Sequence, residues 1–152
     1  METNNVETIS MVFRSGLWII LNTILFTGTA LKLHLANFSN LNRFTAYGEN
    51  YVAINQIRHE QSLVIFPDQL IKDWPVNTVD QLRIEHFDCV LPHSPEILIL
   101  GTGTQHQFPD RSLLKQLMQS GFGIEIMNTQ ACCRTYNILV EEGRRVAAAI
   151  PI

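Results

Sequence analysis

The sequence predicts an α/β fold whose first half is antiparallel β and whose second half is a β-α-β-α-β unit. Three observations carry this prediction. Before Pro67, apolar and polar residues alternate over short stretches, the period of half-buried strands. Beyond Pro95 that alternation gives way to unbroken apolar runs, Ile97 to Leu100 and Val146 to Ile150, as strands covered on both faces require. Between those runs lie two stretches of helical spacing, each opened by a capping residue and closed by a glycine.

Taken in chain order, Leu31 to Leu35 alternates Leu, Lys, Leu, His, Leu and starts the sheet, and Asn37 to Asn42 supplies turn chemistry. Phe44 to Tyr47 and Tyr51 to Ile54 form a hairpin about Gly48-Glu49-Asn50, with glycine's freedom at positive φ expected to make the turn. Ser62 to Phe66 is a further strand, stopped by Pro67. Past Trp74-Pro75, the spacing of Val79, Leu82 and His86-Phe87 predicts a helix over 78–87, capped by Asn77 or Thr78 and lying on the sheet. Ile97 to Leu100 is the expected central strand. Asp110 caps the helix carrying Leu113, Leu114, Leu117 and Met118, which Gly121 ends. Gly123 to Met127 is the next strand, Asn128 or Thr129 caps a longer helix through Glu142, Gly143 stops it, and Val146 to Ile150 closes the fold.

Composition narrows the function. A chain of 152 residues is one domain in size, and the division expected is an amino-terminal extension, 1–30, followed by a single domain, 31–152. With 46% hydrophobic residues, 16% charged residues and a net charge of −3, the chain has no basic stripe, which argues against a nucleic-acid partner. Three cysteines, Cys89, Cys132 and Cys133, cannot pair completely, and neighbours in sequence rarely bridge, so a reducing compartment, the cytoplasm, is expected.

Ser15 to Leu31 carries no charge and approaches the roughly 18 to 20 residues needed to cross a bilayer. Three interpretations stand beside each other. A membrane span is diluted by Asn22, Thr23, Thr27, Gly28 and Thr29. A targeting address conflicts with Glu2 and Glu7 ahead of the apolar run. An extension outside the native fold is the simplest and is preferred. Membrane contact is expected only if 15–31 is a genuine span.

Right-handed crossovers place the loops after Leu100 and Met127 at one edge of the sheet, where ligands bind in open α/β folds. Gly101-Thr102-Gly103-Thr104 is therefore a candidate anion loop, with backbone N–H groups and threonine hydroxyls as donors. It lacks the third glycine of a dinucleotide fingerprint and the Lys-Ser/Thr of a P-loop, so a structural turn competes with a binding loop. On the helix after Thr129, a polar face of Arg134, Asn137 or Ile138, Glu141 and Arg145 opposes a core face of Cys132, Tyr136, Leu139 and Val140. Arg134 could meet an anion at the loop edge, or pair with a carboxylate such as Glu141. Thr135 and Asn137 are more at home hydrogen-bonded to neighbouring backbone. The candidate ligand residues are thus Gly101, Thr102, Gly103, Thr129, Arg134 and Asn137.

No catalytic set emerges. One of Cys132 and Cys133 is expected to face away from any partner the other touches, and His86, His93 and His106 are tied to neither by a motif. Cys89 and His93 have ligand-like spacing, but a zinc site needs three or four ligands, so no metal and no cofactor is assigned.

Four strings in order are more specific: Ile99-Leu100-Gly101-Thr102-Gly103, then Gly123-Ile124-Glu125-Ile126-Met127-Asn128-Thr129, Cys133-Arg134-Thr135-Tyr136-Asn137-Ile138-Leu139 and Glu142-Gly143-Arg144-Arg145-Val146. From about Leu31 to Ile150 the chain resembles the small Mth-type domain family, which includes complex I assembly factor 3, the adipogenesis-associated Mth-type domain proteins and many bacterial members. The resemblance implies a three-layer α/β fold with a mixed sheet and no established enzymatic activity. For the mitochondrial members it implies assembly of a respiratory complex through protein contacts. Lacking a mitochondrial presequence, this chain looks like a bacterial member, with respiratory subunits as the implied partners. It departs from the family at Cys132, where a small residue is more usual, and over residues 1–30, which have no counterpart. The function expected is a non-enzymatic protein-interaction module, with binding of a small molecule or anion at the Gly101–Thr104 loop and Arg134 as the alternative.

Overall fold

The computed structural model describes residues 40–152. The strand expected at Leu31 to Leu35 and the apolar stretch from Ser15 to Leu31 lie outside the described residues. In order, the chain forms β1 (Phe44–Gly48), β2 (Tyr51–Ile54), β3 (Ile57–His59), β4 (Leu63–Ile65), β5 (Leu70–Ile71), three 3-10 turns, β6 (Ile97–Gly101), α1 (Arg111–Met118), β7 (Gly123–Met127), α2 (Thr129–Glu141) and β8 (Val146–Ile150).

Two sheets result. β1, β2 and β3 form a small antiparallel sheet, and a mixed five-stranded sheet runs β5-β4-β8-β6-β7. In the larger sheet β6 is parallel to both β7 and β8, while β4 is antiparallel to β8 and β5. β6 is an interior strand, as expected, and β8 beside it holds the middle position, its run of three alanines buried between valine and isoleucine.

Register sorts the core into two slabs. Leu98 lies beside Ala147 and Leu100 beside Ala149, and these face Leu113, Leu117, Phe87 and Trp74. Ile99 lies beside Ala148 and faces Cys132, Tyr136, Val140 and the inward side chains of β1 and β2. The sheet is thus the middle of three layers, with α1 and the 3-10 turns on one face, and α2 and the small sheet on the other. Each buried leucine or isoleucine contributes roughly 1.5–3 kcal/mol of transfer free energy, so this double burial dominates the stability of the unit.

The caps fall where the sequence puts them. Asp110 accepts a hydrogen bond from the Ser112 N–H at 2.7 Å, and Asn128 accepts one from the Ala131 N–H at 2.8 Å. Gly121 and Gly143 stand at φ +87 and +74 just past their helices, the left-handed stop that a Cβ disfavours.

Three local expectations are corrected. Gly48 does not supply a positive φ. A Cβ there would meet the ring of Tyr51, its partner across the ladder, which would have to move aside. The second hairpin was not foreseen: Asn55 and Gln56 both adopt positive φ, +50 and +70, and turn β2 back into β3 without a glycine. Thr45 Oγ1 holds the Gln56 N–H at 3.0 Å, and Asn55 Oδ1 holds the Arg43 N–H at 3.1 Å, so β1 supports that turn.

The third correction concerns the helix expected over 78–87, which is replaced by two 3-10 turns, Val79–Gln81 and Ile84–Phe87. Thr78 caps nothing with its side chain, and Leu82 and Arg83 are extended between the turns. Trp74 Nε1 donates to the His86 carbonyl at 2.8 Å, fixing the second turn from outside. Val79, Leu82 and Phe87 still reach the sheet as expected, because two tight turns present the same apolar side chains.

Candidate functional site

The loop after β6 and the start of α2 meet at one end of the larger sheet, as the crossover rule requires. Thr102 N–H donates to the Met127 carbonyl at 2.9 Å, Gly103 N–H to Thr129 Oγ1 at 3.0 Å, and Thr129 N–H to the Gly103 carbonyl at 2.8 Å. Thr102 is buried, and its hydroxyl donates to the Gln105 carbonyl at 2.7 Å while accepting from the Gln107 N–H at 3.2 Å. Thr102 and Gly103 therefore spend their backbone donors on the neighbouring strand end and helix. The Thr102 and Gly103 N–H groups of the expected anion cradle point into this lacing, not out of it.

Gly101, Thr102, Gly103 and Thr129 thus come together, and Arg134 and Asn137 are placed elsewhere on α2. Arg134 Nη1 donates to the Tyr47 hydroxyl at 3.3 Å, and Gln130 Nε2 donates to the same oxygen at 3.1 Å. These donors, Gln130 first and then Arg134, favour the phenolate and lower the Tyr47 pKa. Glu141 pairs with Arg43 at 3.0 Å, so the intrahelical partnership expected for Arg134 is replaced by one reaching out of the helix.

Asn137 accepts from the Phe44 N–H at 3.0 Å and donates to the Phe44 carbonyl at 2.8 Å. One side chain therefore closes the outer edge of β1 as a neighbouring strand would. This explains a helix-interior asparagine: its local cost is offset by two backbone bonds across 93 residues of sequence. Asn137→Ala should lower stability by about 1–2 kcal/mol, through two unmade bonds in a half-buried setting. Arg134→Ala, on an exposed side chain, should change it by less than about 0.5 kcal/mol. Urea denaturation of the two variants side by side checks the contrast, which equal losses would contradict.

Cys132 and Cys133 are both buried in the core that α2 shares with the two sheets. A helix held between two sheets buries a wider stripe than one lying on a single surface. Burial pushes the Cys132 thiol far up and raises Cys133 to about 12. Such thiols are poor nucleophiles at neutral pH. Because their folded pKa values lie above the ordinary thiol value of 9.0, their contribution to stability is complete below pH 9. It falls as pH rises from 9 toward 12, since the unfolded chain releases those protons first. Stability curves at stepped alkaline pH should show that decline, shallower in Cys133→Ala, and thiol labelling at pH 8 should find Cys132 and Cys133 protected until the chain is unfolded.

The histidines are engaged separately. His86 Nδ1 accepts from the Arg83 N–H at 3.1 Å, His93 lies 4.1 Å from the Phe66 ring, and His106 meets Phe108 edge-on at 4.6 Å. Cys89 donates to the His86 carbonyl at 3.4 Å. Among the described residues no three His, Cys, Asp or Glu side chains gather as metal ligands, and no helix is long and apolar enough to cross a membrane.

Outside the laced loops lies a cleft of about 360 Å³, lined by Tyr47, Glu49, Tyr51, Gly103, Thr104, Thr129 and Gln130 among others. A second cleft of about 310 Å³ adjoins it, sharing Glu49, Gly103, Thr104, Pro151 and Ile152 and adding Asn50, Asn77, Gln105 and Gln107. The aromatic and acidic half of this lining went unnoticed in the sequence. The hairpin carrying Tyr47 and Tyr51 reaches α2 only through long-range packing, and its alternation signals a strand without saying what the strand faces.

The three-layer unit with a laced glycine loop is that of an Mth938-like α/β domain. Residues 44–151 match the family described as "Protein of unknown function (DUF498/DUF598)", and the chain belongs to that family. A Bordetella pertussis protein solved as an Mth938-like domain superposes with a TM-score of 0.64 at 29% identity, over 74% of this chain and 86% of that one. A "13 kDa major membrane protein" of Francisella tularensis is 26% identical over 108 residues, 70% of this chain and 88% of its own length. The Xenopus tropicalis "NADH dehydrogenase [ubiquinone] 1 alpha subcomplex assembly factor 3" is 29% identical over 126 residues, 82% of this chain and 67% of its own.

Proposed function

We propose that this chain is a non-enzymatic interaction module that supports assembly of a respiratory complex, contacting its partner at the edge where the β6 loop meets the start of α2. The observation that carries this reading is the lacing of that edge. Backbone donors that would otherwise be free to bind substrate are spent holding a preformed surface, and preformed surfaces lose little entropy on docking a partner. Similarity to complex I assembly factor 3 over most of the chain supports the same choice of partner.

The thiols of Cys89, Cys132 and Cys133 are all free, which supports a reducing compartment such as the cytoplasm. Contact with a membrane complex would come through that complex's exposed surface, a setting compatible with a relative named as a membrane protein. Affinity purification of the full chain from native membranes, with mass spectrometry scored for respiratory subunits, is expected to recover such subunits reproducibly. Recovery of none would refute the assembly reading.

A second reading, small-molecule or anion binding, is favoured by one observation, the cleft beside Gly103, Thr104 and Thr129. It predicts a rise in melting temperature with inorganic phosphate, accompanied by amide shifts at Gly103 and Thr104. No shift with phosphate would remove it.

A further inference from the structure

The two adjoining clefts carry a chemical signature that decides between kinds of occupant. Glu49, exposed in the β1–β2 turn, is the one charged side chain lining either cleft among the described residues. The remaining walls are tyrosine rings, the apolar side chains of Val52, Val79, Pro151 and Ile152, and side-chain amides and hydroxyls. Two cations stand behind the walls, not on them: Arg134 donates to the Tyr47 hydroxyl, and Arg58 lies 3.9 Å above the Tyr51 ring while paired with Glu60 at 2.8 Å. An anion entering here would meet a carboxylate and find the Thr102 and Gly103 N–H groups of the loop already bonded.

We infer that the two clefts together seat an extended peptide segment of the partner that carries a lysine or arginine, the cationic side chain placed against Glu49. The inference rests on the interaction-module reading and deepens it. Three features favour a peptide as occupant. The clefts adjoin across a shared wall, so they accommodate something longer than a compact metabolite. Neutral amides and hydroxyls such as Gln130, Asn77 and Gln105 match the alternating N–H and C=O groups of an extended backbone. Tyr47 and Tyr51 offer rigid aromatic surface that orders at small entropic cost, the residue type enriched where proteins dock. Complementary charge at Glu49 then selects for a basic residue and against an acidic one.

The test uses the full chain and two pools of short synthetic peptides, capped at both ends and identical except for lysine or glutamate at one central position, with inorganic phosphate as a third probe. Binding is read by fluorescence polarisation and by amide shifts of Gly103 and Thr104. The lysine pool should bind about fivefold more tightly than the glutamate pool, the size expected of one solvent-facing charge pair. Glu49→Gln should erase the preference and Glu49→Lys should invert it, with melting temperatures near wild type because Glu49 is exposed. Equal binding of the two pools, or a lysine preference that survives Glu49→Gln, overturns the inference. So does phosphate shifting Gly103 and Thr104 while neither pool does, which assigns the site to a small anion. The membrane pull-down separates the two levels. If Glu49→Lys recovers respiratory subunits as well as wild type, the groove is not the contact and the module reading stands; if wild type recovers none, the module reading falls whatever the peptides do.

Discussion

Gly101→Val is expected to lower the free energy of unfolding by about 3 kcal/mol. A Cβ at this position would lie 2.9 Å from Ile150 Cδ1, 3.2 Å from Thr129 Oγ1 and 3.5 Å from Thr129 Cα. The side-chain end of Ile150 can turn aside. Thr129 cannot, because its hydroxyl and its N–H are both bonded to Gly103, so the added volume pushes the start of α2 off β6. Gly101→Ala should cost about 1 kcal/mol, the lower end of overpacking penalties. Urea midpoints at constant slope measure both losses. A valine variant as stable as wild type would show that the loop and helix are not closely held together. The glycine that looks in sequence like half of an anion-binding pair is, in the structure, a place where helix and strand approach closely.

Tyr136→Ala should be more damaging still, at about 4 kcal/mol, in the range found for large aromatic truncations in cores. Tyr136 is fully buried, its ring meets Phe44 edge-on at 5.2 Å, and its hydroxyl donates to the Asn42 carbonyl at 3.3 Å. Its removal would leave a cavity between α2, the small sheet and the larger sheet at once. Tyr136→Phe keeps the ring and orphans only the Asn42 carbonyl, at a cost of about 1 kcal/mol. Domains of this size are stable by roughly 5–15 kcal/mol, so the alanine variant should sit near the edge of folding at room temperature. Amide dispersion and near-ultraviolet dichroism report this directly; an alanine variant with wild-type dispersion and midpoint would mean that the two layers are not joined through Tyr136.

Much of the second half is legible from local rules. Ile97 to Leu100, Asp110, Gly121, Asn128, Gly143 and Val146 to Ile150 take the roles that period, capping and left-handed stops assign them. These features act within one turn of helix or one run of strand, so they survive in the order of residues. The stretch over 78–87 shows where that stops: its apolar spacing identifies the side chains that reach the core, but Trp74 and the extended Leu82-Arg83 decide the backbone that carries them. Asn55-Gln56 is similar. Nothing at those two positions demands a hairpin until Thr45 of β1 and Arg43 just before it become partners.

The candidate site divides along the same line. Gly101, Thr102, Gly103 and Thr129 come together because two parallel strands must release their loops at the same edge, a rule of topology that the sequence pattern already invokes. Arg134 and Asn137 share a helix with Thr129, yet each is claimed by a residue roughly ninety positions away, Tyr47 and Phe44.

By itself, then, the sequence determined the α/β unit and the closeness of Gly101-Thr102-Gly103 to the start of the second helix, since hydrogen-bonded turns and hydrophobic period are local and strongly preferred. Only the tertiary structure decided that the Thr102 and Gly103 N–H groups are consumed within the fold, that Asn137 clips β1, and that Glu49 and two tyrosines wall the clefts. Each of those depends on which surfaces are driven together when the apolar faces are buried, and that collapse joins residues with no local relation to one another.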